Sequence, residues 1–202
     1  MSPTPFRYND FMKLSEGTYY QREFSKLSLE KEPIRSTDFE DCEFRSCVFV
    51  DCKFERCRFI NCNFSECVLS AIDPPNSRFT DVTFSKSRVI GFDWTKTQEI
   101  RGLSFDSCQV NYSNFRLLKL AGIKMPRCEA KEVAFIETDL SNGDFRNTDF
   151  QQSRFFKTDL SGADFRGARN YFIDVKNNTL TKARFSLPEA LALLNSLDVI
   201  ID

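Results

Sequence analysis

Residues 42–67 read CEFRSCVFVDCKFERCRFINCNFSEC. A cysteine stands at every fifth place, at Cys42, Cys47, Cys52, Cys57, Cys62 and Cys67. A phenylalanine follows two places after each but the last, at Phe44, Phe49, Phe54, Phe59 and Phe64. Six thiols on this beat admit chemical readings (metal ligation, disulfides, redox work) and one structural reading, a slot chosen for size. The rest of the chain bears on which applies.

The beat extends far beyond these residues. With the apolar centre of each five-residue unit called i, a first register runs from Phe24 to Trp94. One extra residue enters within TKTQEI, and a second register runs from Ile100 to Phe185. Of the 33 centres only Pro74 and Asn170 are not apolar side chains of the usual kind, and 17 of the 22 phenylalanines sit at centres. All eight cysteines fall at i−2, where later units place Ser113, Thr138, Gly143, Thr148, Ser153, Thr158, Ala163 and Ala168. A slot that accepts Cys, Ser, Thr, Ala and Gly selects small volume, and cysteine there acts as a compact buried hydrophobe. Zinc sites favour C-x₂₋₄-C pairs separated by a longer gap, not an unbroken C-x₄ ladder. No metal and no cofactor are expected.

A period of five fits neither a 3.6-residue helix nor a long strand, in which alternate centres would flip outward. Both i−2 and i point inward if the chain is extended for a few residues and then turns a corner. Repeated corners wind a coil whose turns stack at the ordinary strand spacing of about 4.8 Å. Two irregularities are expected: a local bulge or outward loop at 71–79, whose two prolines cannot donate to a ladder, and the extra residue at 95–99.

Composition narrows the function classes. The chain has 202 residues, 28 Lys+Arg, 29 Asp+Glu and no histidine, for a net charge of −1. No basic field advertises direct nucleic-acid binding. Histidine, the commonest general base, is missing, and no phosphate-binding glycine loop stands in for it, so an enzyme is not expected. No apolar run approaches a membrane span and the start carries no signal-peptide core, so a cytoplasmic protein with reduced thiols is expected.

The ends lack the beat. Residues 1–18 read as an N-terminal cap, 19–185 as the repeat body and 186–202 as a C-terminal tail. In the tail, Ser186 and Glu189 form an S-x-x-E capping box around Pro188, predicting a short α-helix. Leu187, Ala190, Leu191 and Leu194 fall on one face of that helix, and residues 199–201 read as a brief terminal strand. Two roles stand open for this tail: a lid that seals the last coil, or a lid whose apolar surface joins two subunits.

The units TDFED, CEFRS, CNFSE, TDLSN, GDFRN, TDLSG and ADFRG resemble the A(D/N)LXX pattern of pentapeptide-repeat proteins. That resemblance implies an all-β, right-handed quadrilateral β-helix of about eight coils, four units to each. The tail ARFSLPEALALLNSLDVI, with LAGIKM at 120–125 and LSFDSC at 103–108, is similar to the gyrase-protecting, Qnr-like branch of that family, above all to its albicidin-resistance member. This second resemblance implies a homodimer joined through Leu187, Pro188, Leu191, Leu194, Leu197, Val199 and Ile201. It also implies a DNA-like rod that binds DNA gyrase, with topoisomerase IV as a second target, and protects it from a poison. Outward residues near the junction (Glu137, Asp139, Asp144, Asp149, Asp159 and Asp164) and the irregular Asp73, Pro74 and Pro75 are the candidate contacts. The rival reading is a pentapeptide-repeat scaffold for an unrelated partner.

Overall fold

The computed structural model of the chain describes residues 7–8, 14–197 and 199, with 7, 8 and 195 described by backbone alone. It is an all-β solenoid of about seven turns with four stacked, parallel faces. Up to Asp106 most rungs are extended strands of three or four residues centred on i. Beyond it most are single bridge residues between tight turns, with Ala134–Ile136 and Arg154–Phe156 as the strands among the described residues. Each centre stacks on the one 20 or 21 residues later. On face one Phe39, Phe59, Phe79 and Ile100 lie in register. On face two the same holds for Phe24, Phe44, Phe64, Phe84 and Phe105. Face three stacks Leu29, Phe49, Leu69 and Val89, and face four stacks Ile34 on Phe54 and, further along, Phe135 on Phe155.

The interior explains the taste for phenylalanine. Phe44 and Phe64 stack at 4.3 Å between ring centroids, Phe64 and Phe84 at 4.9 Å. Phe39, Phe59 and Phe79 form a second column at 5.0 and 4.9 Å. A flat ring fills the thickness of one rung and lies against the next at the spacing the backbone ladder imposes.

Each corner is made by residue i+2, which adopts positive φ along nearly the whole body, from Gln21 to Lys182. Most of these corner residues carry side chains in the left-handed region, and none of them is β-branched. That exclusion follows from the crowding a branched Cβ suffers there.

The corner geometry leaves one amide per unit, that of i−2, outside the strand ladder, and the chain satisfies it in two ways. In several units the Cys, Ser or Thr in the same slot of the next coil accepts the bond. The N–H groups of Cys47, Cys67, Ser87, Cys108 and Cys128 donate in turn to Cys67 Sγ, Ser87 Oγ, Cys108 Sγ, Cys128 Sγ and Thr148 Oγ1. Where the slot above holds Gly or Ala, the chain instead closes a turn onto the preceding centre: Ile123 N–H to Leu120 O, Gly143 to Leu140 and Thr148 to Phe145. The i−2 slot thus selects hydrogen-bonding capacity as well as small size. Ser87→Ala, which removes one link of the ladder, is expected to cost about 1 kcal/mol in urea denaturation, and Ser87→Cys much less.

The segment 71–79 forms neither bulge nor loop. Pro74 is buried at its centre position and Ile72 is buried at i−2, so the register holds. The prolines remove two ladder donors, and neighbours compensate. Ser77 Oγ donates to Phe54 O at 2.7 Å. One coil above, Asp93 O, which gets no amide from Pro74, accepts Lys96 N–H within a 3₁₀ turn at Trp94–Lys96. That turn absorbs the extra residue, so the two irregularities lie one on the other at the same corner.

A second departure occurs at Asn170. It turns outward, and Tyr171 and Ile173 take the interior. Asn170 Nδ2 then donates to Asp149 Oδ1 at 2.8 Å. This slip roughens the last coil.

Of residues 1–18, the segments 1–6 and 9–13 lie outside the described residues, and Arg7–Tyr8 adds a short parallel strand beside Glu23–Phe24. The C-terminal element is a 3₁₀ helix, Glu189–Leu197, instead of an α-helix. Its expected capping box does not form, because Ser186 Oγ accepts Gly167 N–H from the coil below. Val199 lies outside any strand, and Ile200 and Ile201 lie outside the described residues.

Candidate interaction surfaces

The eight cysteines are free and buried, none more than 2% exposed. Seven of the thiols donate to carbonyls of the coil below, for example Cys57 to Ile34 O and Cys67 to Phe44 O, both at 3.3 Å, and Cys128 donates to Pro126 O. Burial pushes the Cys57 thiol up to about 11. In the stacked pairs, the hydrogen bond from the partner thiol and then burial raise Cys62, Cys67 and Cys128. The same bonds shift their partners Cys42, Cys47 and Cys108 down, but all eight are enclosed, and an enclosed thiol is a poor nucleophile and a poor ligand. All eight are expected to resist a thiol-specific colorimetric reagent in the native protein and to react together on unfolding.

With the interior filled, binding falls to the outer surface. The acids of the last coils do not form one patch. Asp139 and Asp159 lie on face one, Asp144 and Asp164 on face two, Asp149 on face three and Glu137 at the corner between faces four and one. Each of the five aspartates accepts the amide two residues on, as with Ser141 N–H to Asp139 Oδ1 at 2.9 Å. This is the turn-capping role that aspartate plays in many loops.

Four of these acids also face a base. Asp144 meets Arg146 at 2.7 Å, Asp164 meets Arg166 at 2.6 Å, Asp149 meets Arg169 at 3.4 Å and Glu137 meets Lys157 at 3.9 Å. The guanidinium of Arg146 holds Asp144 below the ordinary carboxylate range, as Arg166 does Asp164. Among the described residues Asp139 and Asp159 make no ion pair, and they stack one rung apart. Asp73 lies far back along the rod on face four, bonded to Lys96 Nζ at 2.9 Å, beside the buried Pro74.

At the C-terminal end, 3₁₀ geometry decides which side chains face out. With three residues per turn, Pro188, Leu191, Leu194 and Leu197 line one ridge. Leu191 is 45% and Leu197 41% exposed, flanked by Leu187 at 75% and Val199 at 52%. Ala192 and Leu193 turn inward onto the core, and Ser196 Oγ accepts Val175 N–H at 3.2 Å, fixing the helix across the last coil. The spacing 188, 191, 194 and 197 is visible in the sequence, but the α-helical grouping of 187, 190, 191 and 194 competes with it.

The chain belongs to the pentapeptide-repeat proteins. Residues 37–115 match the family's pentapeptide repeat region and residues 131–169 match its pentapeptide repeats in eight copies. Among solved structures it is similar to full-length QnrB1, a plasmid-mediated fluoroquinolone resistance protein. The identity is 17% and the TM-score 0.57, over 91% of this chain and all of that one. A trypsin-treated point variant of QnrB1 matches at 17% identity and a TM-score of 0.52, over 87% of this chain and 99% of that one. At this identity the likeness is one of fold. No curated protein sequence matches the chain.

Proposed function

We propose that this protein is a non-catalytic, cytoplasmic, homodimeric rod that docks on a type II topoisomerase, DNA gyrase or topoisomerase IV, and protects it from a poison such as albicidin or a quinolone. The observation that carries this reading is the outward apolar ridge of Glu189–Leu197. A rod that merely sealed its own end would turn those leucines inward, whereas an end-to-end dimer needs them outside. The tail sequence similar to the gyrase-protecting branch supports it, as does the full-length fold likeness to a fluoroquinolone resistance protein.

Any imitation of DNA is one of shape more than of charge. Two rods of about seven turns end to end, at about 4.8 Å per turn, match a duplex of about 67 Å that carries roughly 40 phosphates, whereas two copies of this chain at −1 each carry −2. The unpaired carboxylates Asp139 and Asp159 on face one are the residual acidic element. Neutralisation of the other four acids favours a second reading, a scaffold for an unrelated partner.

Purified protein is expected to restore gyrase supercoiling in the presence of a DNA-gate poison. Indifference across albicidin, quinolones and microcin-type peptides would leave the scaffold alone.

A further inference from the structure

Face four of the last coils differs in chemistry from the other three. On rungs 115, 135 and 155 its outward positions are Asn114, Arg116, Ala134, Ile136, Arg154 and Phe156, with two arginines and no acid. Glu132 and Glu137 stand at its two corners, Glu137 paired with Lys157, and Asp174 lies on the coil above. Each of the other faces carries at least two carboxylates at the same height. Arg116 and Arg154 are exposed and make no ion pair among the described residues.

The same face gathers most of the exposed large apolar side chains outside the C-terminal tail. Tyr112 is 59% and Leu117 69% exposed at its two corners, Phe156 is 43% exposed on its middle, and Phe172 is 63% exposed on the coil above. Elsewhere in the described repeat body only Tyr20 is comparable. Lys157 Nζ lies 5.6 Å over the Phe156 ring. Exposed aromatics beside unpaired arginines, with aliphatic Ile136 between Arg116 and Phe156 and Leu117 at the corner, have the composition of an interface core.

We propose that this face is a docking surface for an acidic segment of a partner protein, one that alternates carboxylates with aliphatic side chains. The carboxylates meet Arg116 and Arg154, and the aliphatic groups cover Ile136, Phe156 and Leu117. The charge complementarity selects an anionic occupant. The aliphatic centre favours a polypeptide over a nucleic acid, whose bases would ask for a row of open aromatic faces. The surface is distinct from the acidic faces and from the terminal ridge, and it does not require the partner to be a topoisomerase.

The test is fluorescence anisotropy of the full-length protein with a labelled peptide of alternating glutamate and leucine. A lysine–leucine peptide and a single-stranded oligothymidylate serve as competing probes. Saturable binding of the glutamate peptide that weakens with salt is expected. It should fall about tenfold in the double variant Arg116→Glu, Arg154→Glu and in Phe156→Ser. Arg88→Glu on face three should leave it unchanged, with circular dichroism confirming the fold of each variant. No binding of the glutamate peptide, equal binding by the face-four variants, or tighter binding of the oligothymidylate would each overturn the proposal.

Discussion

Phe64→Ala is expected to lower the free energy of unfolding by about 3–5 kcal/mol in urea denaturation. The side chain is wholly buried and lies face to face with Phe44 below and Phe84 above, at 4.3 and 4.9 Å, with interplanar angles of 3° and 18°. Truncation therefore strips two coil–coil contacts at once. The cavity cannot collapse, because the backbone ladder from Asn63–Ser65 to Glu43–Arg45 and Thr83–Ser85 holds the rungs apart. Coils of a solenoid are stabilised by their neighbours, so the loss falls on both adjoining interfaces. It should also broaden the transition as the two halves begin to unfold separately. Phe64→Leu keeps most of the volume and should cost less, about 1–1.5 kcal/mol. An alanine cost below about 1 kcal/mol would contradict the picture of aromatic columns bearing the stack.

The aromatic columns are legible in the sequence because size leaves a trace in every unit: centres want large flat or branched side chains and i−2 wants small ones. The amide accounting is not, since Cys67, Ser77, Ser87, Cys108, Cys128, Thr148 and Ser153 look like small fillers until they are seen accepting the N–H one coil below. Position i+2 is half legible. Five of the seven glycines, Gly91, Gly102, Gly122, Gly162 and Gly167, stand there, and that spacing alone points to a left-handed corner. At Gly102 the second reason appears only in three dimensions, because a Cβ would meet Asp81 Oδ1 at 2.1 Å.

The bulge expected at 71–79 fails to form for a similar reason. The sequence shows the donors that proline lacks, whereas the outcome depends on what replaces them, Ser77 Oγ for Phe54 O and Lys96 N–H for Asp93 O. The acids are legible as a regional excess, eight acids against four bases over residues 129–164, but their arrangement is not. A five-residue step sends successive aspartates to successive faces, and arginines two or twenty places along meet most of them. The apolar, arginine-bearing face four is hidden in a related way. Its residues are about 20 apart in sequence, so no short window contains two rungs of it.

Leu191→Arg is expected to convert the protein to monomers at micromolar concentration, read by analytical ultracentrifugation or light scattering. In a two-fold junction each protomer supplies the same ridge, so one substitution removes two leucines from the contact. Burying a leucine contributes about 1.5–3 kcal/mol. The pair therefore accounts for roughly 3–6 kcal/mol, a weakening of about two to four orders of magnitude in dissociation constant. Facing the two new guanidinium groups across one apolar seam adds like-charge repulsion. The fold should survive, because Leu191 is 45% exposed, while the contacts that hold the helix down run through Ala192, Leu193 and Ser196. Leu193→Arg makes the contrast, as it should loosen the helix itself and lower stability as well as association. Truncation after Phe185 should give the same monomer without the charge. A dimer that persists in both Leu191→Arg and the truncated chain would move the junction elsewhere on the rod. The gyrase assay on that monomer then separates shape from assembly: if protection needs an uninterrupted double-length rod, it should be lost along with the dimer while each half remains folded.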